Sequence, residues 1–197
     1  MKPYSELSEL QLEQQRHDEI AHRDILSLGK QDRVKHMVLH FAKYSGHFAS
    51  TSESRDDSRF IATLVDTFII CLACANALNL KLNELVAEVD RSLIDFGPST
   101  VEQPVELSGV LFSRFAKVVG TMAKACESLD HFEKFDYHGT LERGLAAIAL
   151  LCLSVARKSR IDLYRLTRTR WAKVEAKFAS SSGSPKNDSI RLANRRD

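Results

Sequence analysis

Four ionisable side chains follow one another at three- and four-residue steps in a single segment: His36, His40, Lys43 and His47. At about 100° per residue these residues fall within an arc of about 60° on an α-helix, and we call them the histidine stripe. A stripe of this kind can bind phosphate directly through charge-assisted hydrogen bonds. Two alternatives stay open. The side chains could form a solvated or inter-helix polar network, or His36 and His40 could hold a transition metal, although no third ligand follows from the sequence.

A second basic stripe and a group of carboxylates suggest further chemistry. Arg114 and Lys117 have the same helical spacing in a later segment, together with Lys124. Glu53 and Asp57 lie beside a predicted connection, and with Asp66 they could hold a cation, because Mg²⁺ binds oxygen ligands. The alternative for these acids is helix capping and solvation of the loop.

The segments that carry the two basic stripes are similar in sequence. Residues 41 to 54 read FAKYSGHFASTSES and residues 115 to 128 read FAKVVGTMAKACES, with seven of fourteen positions identical. A second pair of segments, 64 to 85 and 145 to 166, matches at an offset of 81 and pairs Cys71 with Cys152. Such self-similarity predicts two copies of one helical unit.

Apolar residues recur at helical spacing along most of the chain, so we expect an all-α, tandem-repeat helical bundle. The predicted helices are 4 to 28, 32 to 52, 57 to 79, 82 to 95, 106 to 128, 138 to 158 and 161 to 179. The predicted organisation is an N-terminal helix at 1–31, a first repeat at 32–95, a linker at 96–106, a second repeat at 107–179 and a disordered tail at 180–197. A thin apolar stripe that includes Leu7 and Leu10 predicts that the N-terminal helix docks on the bundle or on a second chain. Gly46 and Gly120 are expected to permit close helix crossing.

One helix carries a family resemblance. Residues 64 to 82, LVDTFIICLACANALNLKL, resemble the second long helix of the MazG-like all-α nucleoside triphosphate pyrophosphohydrolases, including the dimeric dUTPase branch, which commonly reads ELADVLxxLLxLANxLGIDL. Asp66, Ala75, Asn76, Leu78 and Leu82 occupy matching places, and RIDL at 160 to 163 is similar to the same ending. The resemblance covers roughly residues 33 to 95 and 108 to 178. It implies a MazG-like pseudo-dimer built from the two repeats.

The resemblance also implies where catalytic carboxylates should be. The family holds magnesium with an EExxE motif on one helix and ExxD on the next. In this chain the first motif falls on residues 43 to 47, KYSGH, and the second leaves Asp66 as its one acid and the only catalytic candidate. The second copy has no carboxylate in these places. We therefore expect a catalytically degenerate protein that needs no cofactor. It would bind a nucleotide, another phosphorylated small molecule or a protein partner, and an anion would contact the histidine stripe, Arg114 and Lys117.

Two other functions remain open at this stage. One is an active pyrophosphohydrolase whose magnesium is held by displaced carboxylates, namely Glu53, Asp57 and Asp66. The other is a nucleic-acid-binding scaffold, since the basic segment at 157–177 includes Arg165, Arg168, Arg170 and Lys173. A solvated helix face would explain the same segment.

The global features of the sequence favour a soluble protein. The net charge is +2, the chain opens with a polar segment rather than a signal peptide, and no apolar run approaches the ~20 residues that span a bilayer. We expect a cytoplasmic protein with no membrane partner, and a protein partner or a homo-oligomer stays open.

Overall fold

The computed structural model describes residues 5–88 and 103–182, and in these two ranges the protein is all-α, as predicted. The helices are α1 (Ser5–Ala21), α2 (Arg23–Leu26), α3 (Lys30–Ser54), α4 (Asp57–Leu78), α5 (Leu82–Glu88), α6 (Ser108–Asp130), α7 (Tyr137–Lys158) and α8 (Leu163–Ser182). A short 3₁₀ turn, Pro104–Leu107, leads into α6.

Three of the helices have an aspartate at the N-cap position. Asp56, Asp136 and Asp162 each accept a hydrogen bond at 3.0 Å from a backbone N–H three residues later. These contacts satisfy donors that have no partner inside the helix.

The ends of α4 and α7 are closed by left-handed residues. Asn79 and Arg160 have φ values of 57° and 53°. Just beyond them, Leu80 N donates to Ala75 O at 2.9 Å and Ile161 N donates to Ala156 O at 2.8 Å. The two ends therefore share the hydrogen-bond pattern of a Schellman motif.

The two predicted repeats share one hydrophobic core. Helices α4 and α7 are the most apolar and lie at its centre, with α3 packed on α4 and α6, and α6 packed on α7. Phe48 is fully buried between Phe60 and Phe115, with ring centroids 5.5 and 5.4 Å away. Burial of each such ring stabilises the fold by about 1.5–3 kcal/mol.

Residues that the sequence comparison pairs lie close together in the core. Phe41 and Phe115 make an edge-to-face contact at 6.1 Å. Cys71 and Cys152 are neighbours in the buried interface of α4 and α7, where burial and then the Cys152 thiol raise the pKa of Cys71. Helix α5 packs on α7, and α8 packs on α4. Each of these two helices therefore packs on the central helix of the other predicted repeat. The repeat itself stays a prediction from sequence.

The N-terminal helix is part of the same core. Leu7 and Leu10 are fully buried, and α1 packs on α4, α5 and α8. The prediction that this helix docks on the bundle is confirmed. The predicted single helix at 4–28 is wrong in one respect, because the backbone leaves helical geometry at His22, which has φ −133° and ψ 42°.

Other predicted boundaries need smaller changes. Helix α8 continues to Ser182, three residues into the predicted tail. The end of the predicted linker forms the 3₁₀ turn, where Gln103 and Glu106 make a capping box. The remaining predictions for 89–102 and 183–197 lie outside the described residues.

The expected role of two glycines is wrong. A Cβ atom added at Gly46 or Gly120 would meet nothing within 4 Å. Close helix approach occurs instead at Gly144 on α7, where an added Cβ would lie 2.6 Å from Met122 Cγ on α6.

Two helices are more apolar than the sequence analysis allowed. By length and composition, α4 and α7 could each cross a membrane, with windows of mean hydropathy 2.0 and 1.5. In this structure 67% and 61% of those windows are buried inside the bundle. The central helix of a globular core meets the same criteria, so these helices are weak evidence for a membrane span.

Candidate ligand-binding site

A cavity of about 710 Å³ lies between α1, α2, α3, α4 and the middle of α8. This volume is in the usual range for small-molecule sites, roughly 300–1,000 Å³. Its wall combines apolar side chains of α4, such as Ile69 and Ile70, with polar and ionisable groups from the other helices. The cavity is the candidate site.

Three members of the histidine stripe line this cavity: His36, His40 and Lys43. Lys43 Nζ lies 3.2 Å from His40 Nδ1, and His40 Nε2 lies 3.1 Å from His36 Nε2. An ammonium group can only donate, so His40 accepts at Nδ1 and carries its proton on Nε2 when neutral. The hydrogen-bond chain therefore runs from Lys43 to His40 and from His40 to His36.

The environment keeps His40 uncharged. Burial, and then the neighbouring Lys43 and the histidines at 36 and 22, lower the pKa of His40 to about 4. Burial and then His17 also lower the pKa of His22 at the opposite wall. At neutral pH these two imidazoles are hydrogen-bonding groups rather than cations.

Arg33 extends the stripe by one helical turn. Its Nη2 donates to the carbonyl oxygens of Leu26 and Leu28, at 3.3 and 3.2 Å, which fixes the guanidinium against the loop after α2. Among the residues that the structure describes, Arg33 Nε is buried and has no hydrogen-bond partner. A buried donor of this kind usually has a partner, so Arg33 Nε is an unsatisfied group beside the cavity wall.

Asp66 lies on the α4 side of the cavity, but it already has a partner. Arg170 of α8 donates to both of its carboxylate oxygens, from Nε at 2.8 Å and from Nη2 at 3.2 Å. A bidentate arginine pair of this geometry fixes both groups.

The structure does not bring the three predicted metal-binding acids together. Asp57 and Asp66 are nine residues apart on α4, which is about 13 Å along the helix axis. Asp57 Oδ1 accepts from Val105 N at 2.8 Å, and Glu53 is exposed near the end of α3. Within residues 5–88 and 103–182, no group of three or more His, Cys, Asp or Glu side chains could hold a metal ion. The three acids do not form one group in this structure, and the carboxylate site stays a prediction from sequence.

A buried polar network joins α1 to α8 at one side of the cavity. Trp171 Nε1 donates to Gln14 Oε1 at 2.8 Å, and Gln14 Nε2 donates to Asp18 Oδ1 at 2.7 Å. His17 Nδ1 lies 2.8 Å from Glu175 Oε1. Burial raises the pKa of Asp18 to about 6, against the opposing effects of Gln14, His17 and Arg33.

The other predicted anion-binding residues lie elsewhere. His47 is not part of the cavity wall, and its ring packs 5.8 Å from that of Tyr44. Arg114 and Lys117 are on α6, which contributes nothing to this wall. The two basic stripes therefore do not meet in the cavity.

Sequence reasoning missed much of the wall. His17, Asp18 and His22 come from α1 and the residue after it, and Trp171 comes from α8. Their approach to α3 depends on tertiary packing, for which the sequence gives no local signal. Arg33 could have been found, because it precedes His36 by three residues and continues the same helical spacing.

No family model, curated protein or solved structure matches this chain.

Proposed function

We propose that this protein binds a phosphorylated small molecule of nucleotide size in the cavity, without hydrolysing it. The observation that carries this proposal is the α3 wall, where Lys43 and Arg33 line the cavity together with His36 and His40. Phosphate oxygens accept charge-assisted hydrogen bonds from such groups. The apolar surface of α4 and the ring of Trp171 provide contacts for the rest of the ligand.

The protein would be a degenerate relative of the MazG-like pyrophosphohydrolases. In the family pattern that this chain resembles, Lys43 and Asp66 stand at positions of metal-binding acids, and both residues line the cavity. This coincidence supports the proposal. A lysine in place of a glutamate supplies positive charge directly, which removes the need for a bridging magnesium ion.

The active-enzyme alternative is less well supported by this geometry. Its one aligned carboxylate, Asp66, is engaged by Arg170, and the wall provides no acid cluster among the described residues. A magnesium ion would have to compete with an arginine pair for the carboxylate oxygens.

The nucleic-acid alternative is also less well supported. Three of the four cations in its proposed footprint are ion-paired: Arg165 with Asp162, Arg168 with Glu13 and Arg170 with Asp66. A phosphate backbone would compete with these carboxylates for each guanidinium.

Calorimetric titration tests the proposed function directly. The panel is inorganic phosphate, pyrophosphate and nucleoside mono-, di- and triphosphates, without added metal. At least one of them should bind the wild type and raise its melting temperature, because a ligand of the native state stabilises it. Lys43→Met should weaken that binding by about tenfold or more, since it removes a charged donor.

Lys117→Met is the matched control. Lys117 stands at the corresponding repeat position on α6, is exposed and lies outside the cavity. Binding should be unchanged in this variant. The proposal fails if no compound stabilises the protein at millimolar concentration, or if Lys117→Met weakens binding as much as Lys43→Met. Steady magnesium-dependent release of pyrophosphate, abolished by Asp66→Ala, would instead establish the enzyme.

A further inference from the structure

His36 and His40 face each other on successive turns of α3. Their ring centroids are 4.7 Å apart at an interplanar angle of 71°, and their Nε2 atoms are separated by 3.1 Å. Both residues are half-buried in the wall of the cavity. Two imidazole nitrogens are thus held close together beside a volume that can admit a ligand.

We propose that His36 and His40 chelate one divalent transition metal ion through their Nε2 atoms, with the remaining coordination positions open to the cavity. If the Nε2 separation stays near 3.1 Å when one ring turns toward the ion, metal–nitrogen bonds of roughly 2.0–2.1 Å enclose an angle of about 95–102° there. This angle lies between the ideal values for octahedral and tetrahedral coordination. Imidazole ligands suit Zn²⁺, Ni²⁺ and Cu²⁺.

The site differs from the magnesium site that the family resemblance implies. It uses two nitrogen ligands on one helix and requires no carboxylate cluster. Water, or an oxygen of a bound molecule, completes the coordination.

Metal binding requires a rearrangement of the hydrogen-bond chain from Lys43 through His40 to His36. In the metal-free protein the His40 proton is on Nε2 and points at His36, so one ring must turn and this proton must move to Nδ1. The Nδ1 position is now occupied by the Lys43 ammonium at 3.2 Å, so Lys43 must turn away. Lys43 is exposed, and its side chain has room to move. The ring stays neutral, so no proton is released.

Lys43 therefore opposes metal binding, both by charge and by its contact with His40. The same lysine favours phosphate in the proposed function. Lys43→Met should tighten metal binding several-fold while it weakens phosphate binding. These opposite effects allow the two proposals to fail separately, and the metal site does not depend on the phosphate site.

The test uses full-length protein without a histidine tag, titrated calorimetrically with Ni²⁺, Zn²⁺ and Cu²⁺ salts in a weakly coordinating buffer at neutral pH. We expect one equivalent to bind in the micromolar range. Co²⁺ should give visible absorption bands of a nitrogen-ligated ion. His36→Gln and His40→Gln should each weaken binding by about tenfold or more.

Glutamine is chosen because its side-chain amide can keep a hydrogen bond at this position, and circular dichroism will show whether each variant folds. The control is His138→Ala, which removes an exposed histidine at the start of α7, outside the cavity. Retained affinity in the control supports the site. Absence of binding by the wild type at about 100 μM metal, or unchanged affinity in both folded glutamine variants, would show that the histidines form only an N–H···N hydrogen bond.

Discussion

Arg170 on α8 donates two hydrogen bonds to Asp66 on α4, one to each carboxylate oxygen. The contact joins the last described helix to the centre of the bundle at the cavity wall. It also occupies Asp66, the acid that the resemblance to the MazG-like family would place at a metal-binding position.

This ion pair should be measurable in a double-mutant cycle. Asp66→Asn, Arg170→Gln and the double variant should give a coupling free energy of roughly 0.5–1 kcal/mol, because the pair is bidentate but partly exposed to solvent. Urea unfolding monitored by circular dichroism gives the change in the free energy of unfolding for each of the three variants. High salt should reduce the coupling, and a value near zero would mean that the pair contributes nothing to stability in solution.

Two glycine substitutions should stabilise the protein. Gly46→Ala and Gly120→Ala should each raise the free energy of unfolding by about 0.5–1 kcal/mol, because alanine restricts the unfolded chain and fits the helix. Both positions are exposed, and an added Cβ meets open space. Thermal or urea unfolding measures the change.

Gly144→Ala is the opposite case. Its Cβ would overlap Met122, with Cγ at 2.6 Å and Sδ at 2.8 Å. Overpacking of this interface between α6 and α7 should lower stability by roughly 1–2 kcal/mol, despite the better helix propensity of alanine. Equal effects of all three substitutions would contradict the packing described above.

Asp18 should make the stability of the protein depend on pH. Burial raises its pKa from an ordinary value of 3.8 to about 6 in the folded state, so the folded state binds the proton more tightly. The protonated form therefore favours folding. The associated stability is present at low pH, falls as the pH rises from about 4 to 6, and is absent above this range.

Asp18→Asn should remove most of this dependence. Relative to the wild type, the variant should gain stability on the order of 2–3 kcal/mol as the pH rises from 4 to 7, since asparagine can still accept from Gln14. Urea unfolding at a series of pH values tests this. Glu19→Gln, an exposed change on the same helix, serves as the control, and a parallel pair of wild-type and Asp18→Asn curves would refute the prediction.

Regular helical spacing made the framework predictable. The long apolar helices were located to within a few residues because each has caps and a buried face, such as Asp56 before α4 and Asn79 after it. Local spacing also identified His36, His40 and Lys43, since residues three and four apart share a helix face.

The rest of the cavity could not be predicted in this way. Asp18 and Trp171 are 153 positions apart in the sequence, and they become neighbours through Gln14 only when α1 and α8 pack together. The glycine prediction failed for a related reason. Glycine in a helix has the same sequence signature whether its bare face meets another helix, as at Gly144, or solvent, as at Gly46.

The burial of Leu7 and Leu10 in the common core has a thermodynamic consequence for ligand binding. Because these two side chains are as fully buried as those of the central helices, the α1 wall of the cavity is already ordered before a ligand binds. A ligand that enters need not supply the free energy to immobilise a loose segment. Affinity in this cavity would then be set by the fit between the molecule and a preorganised surface.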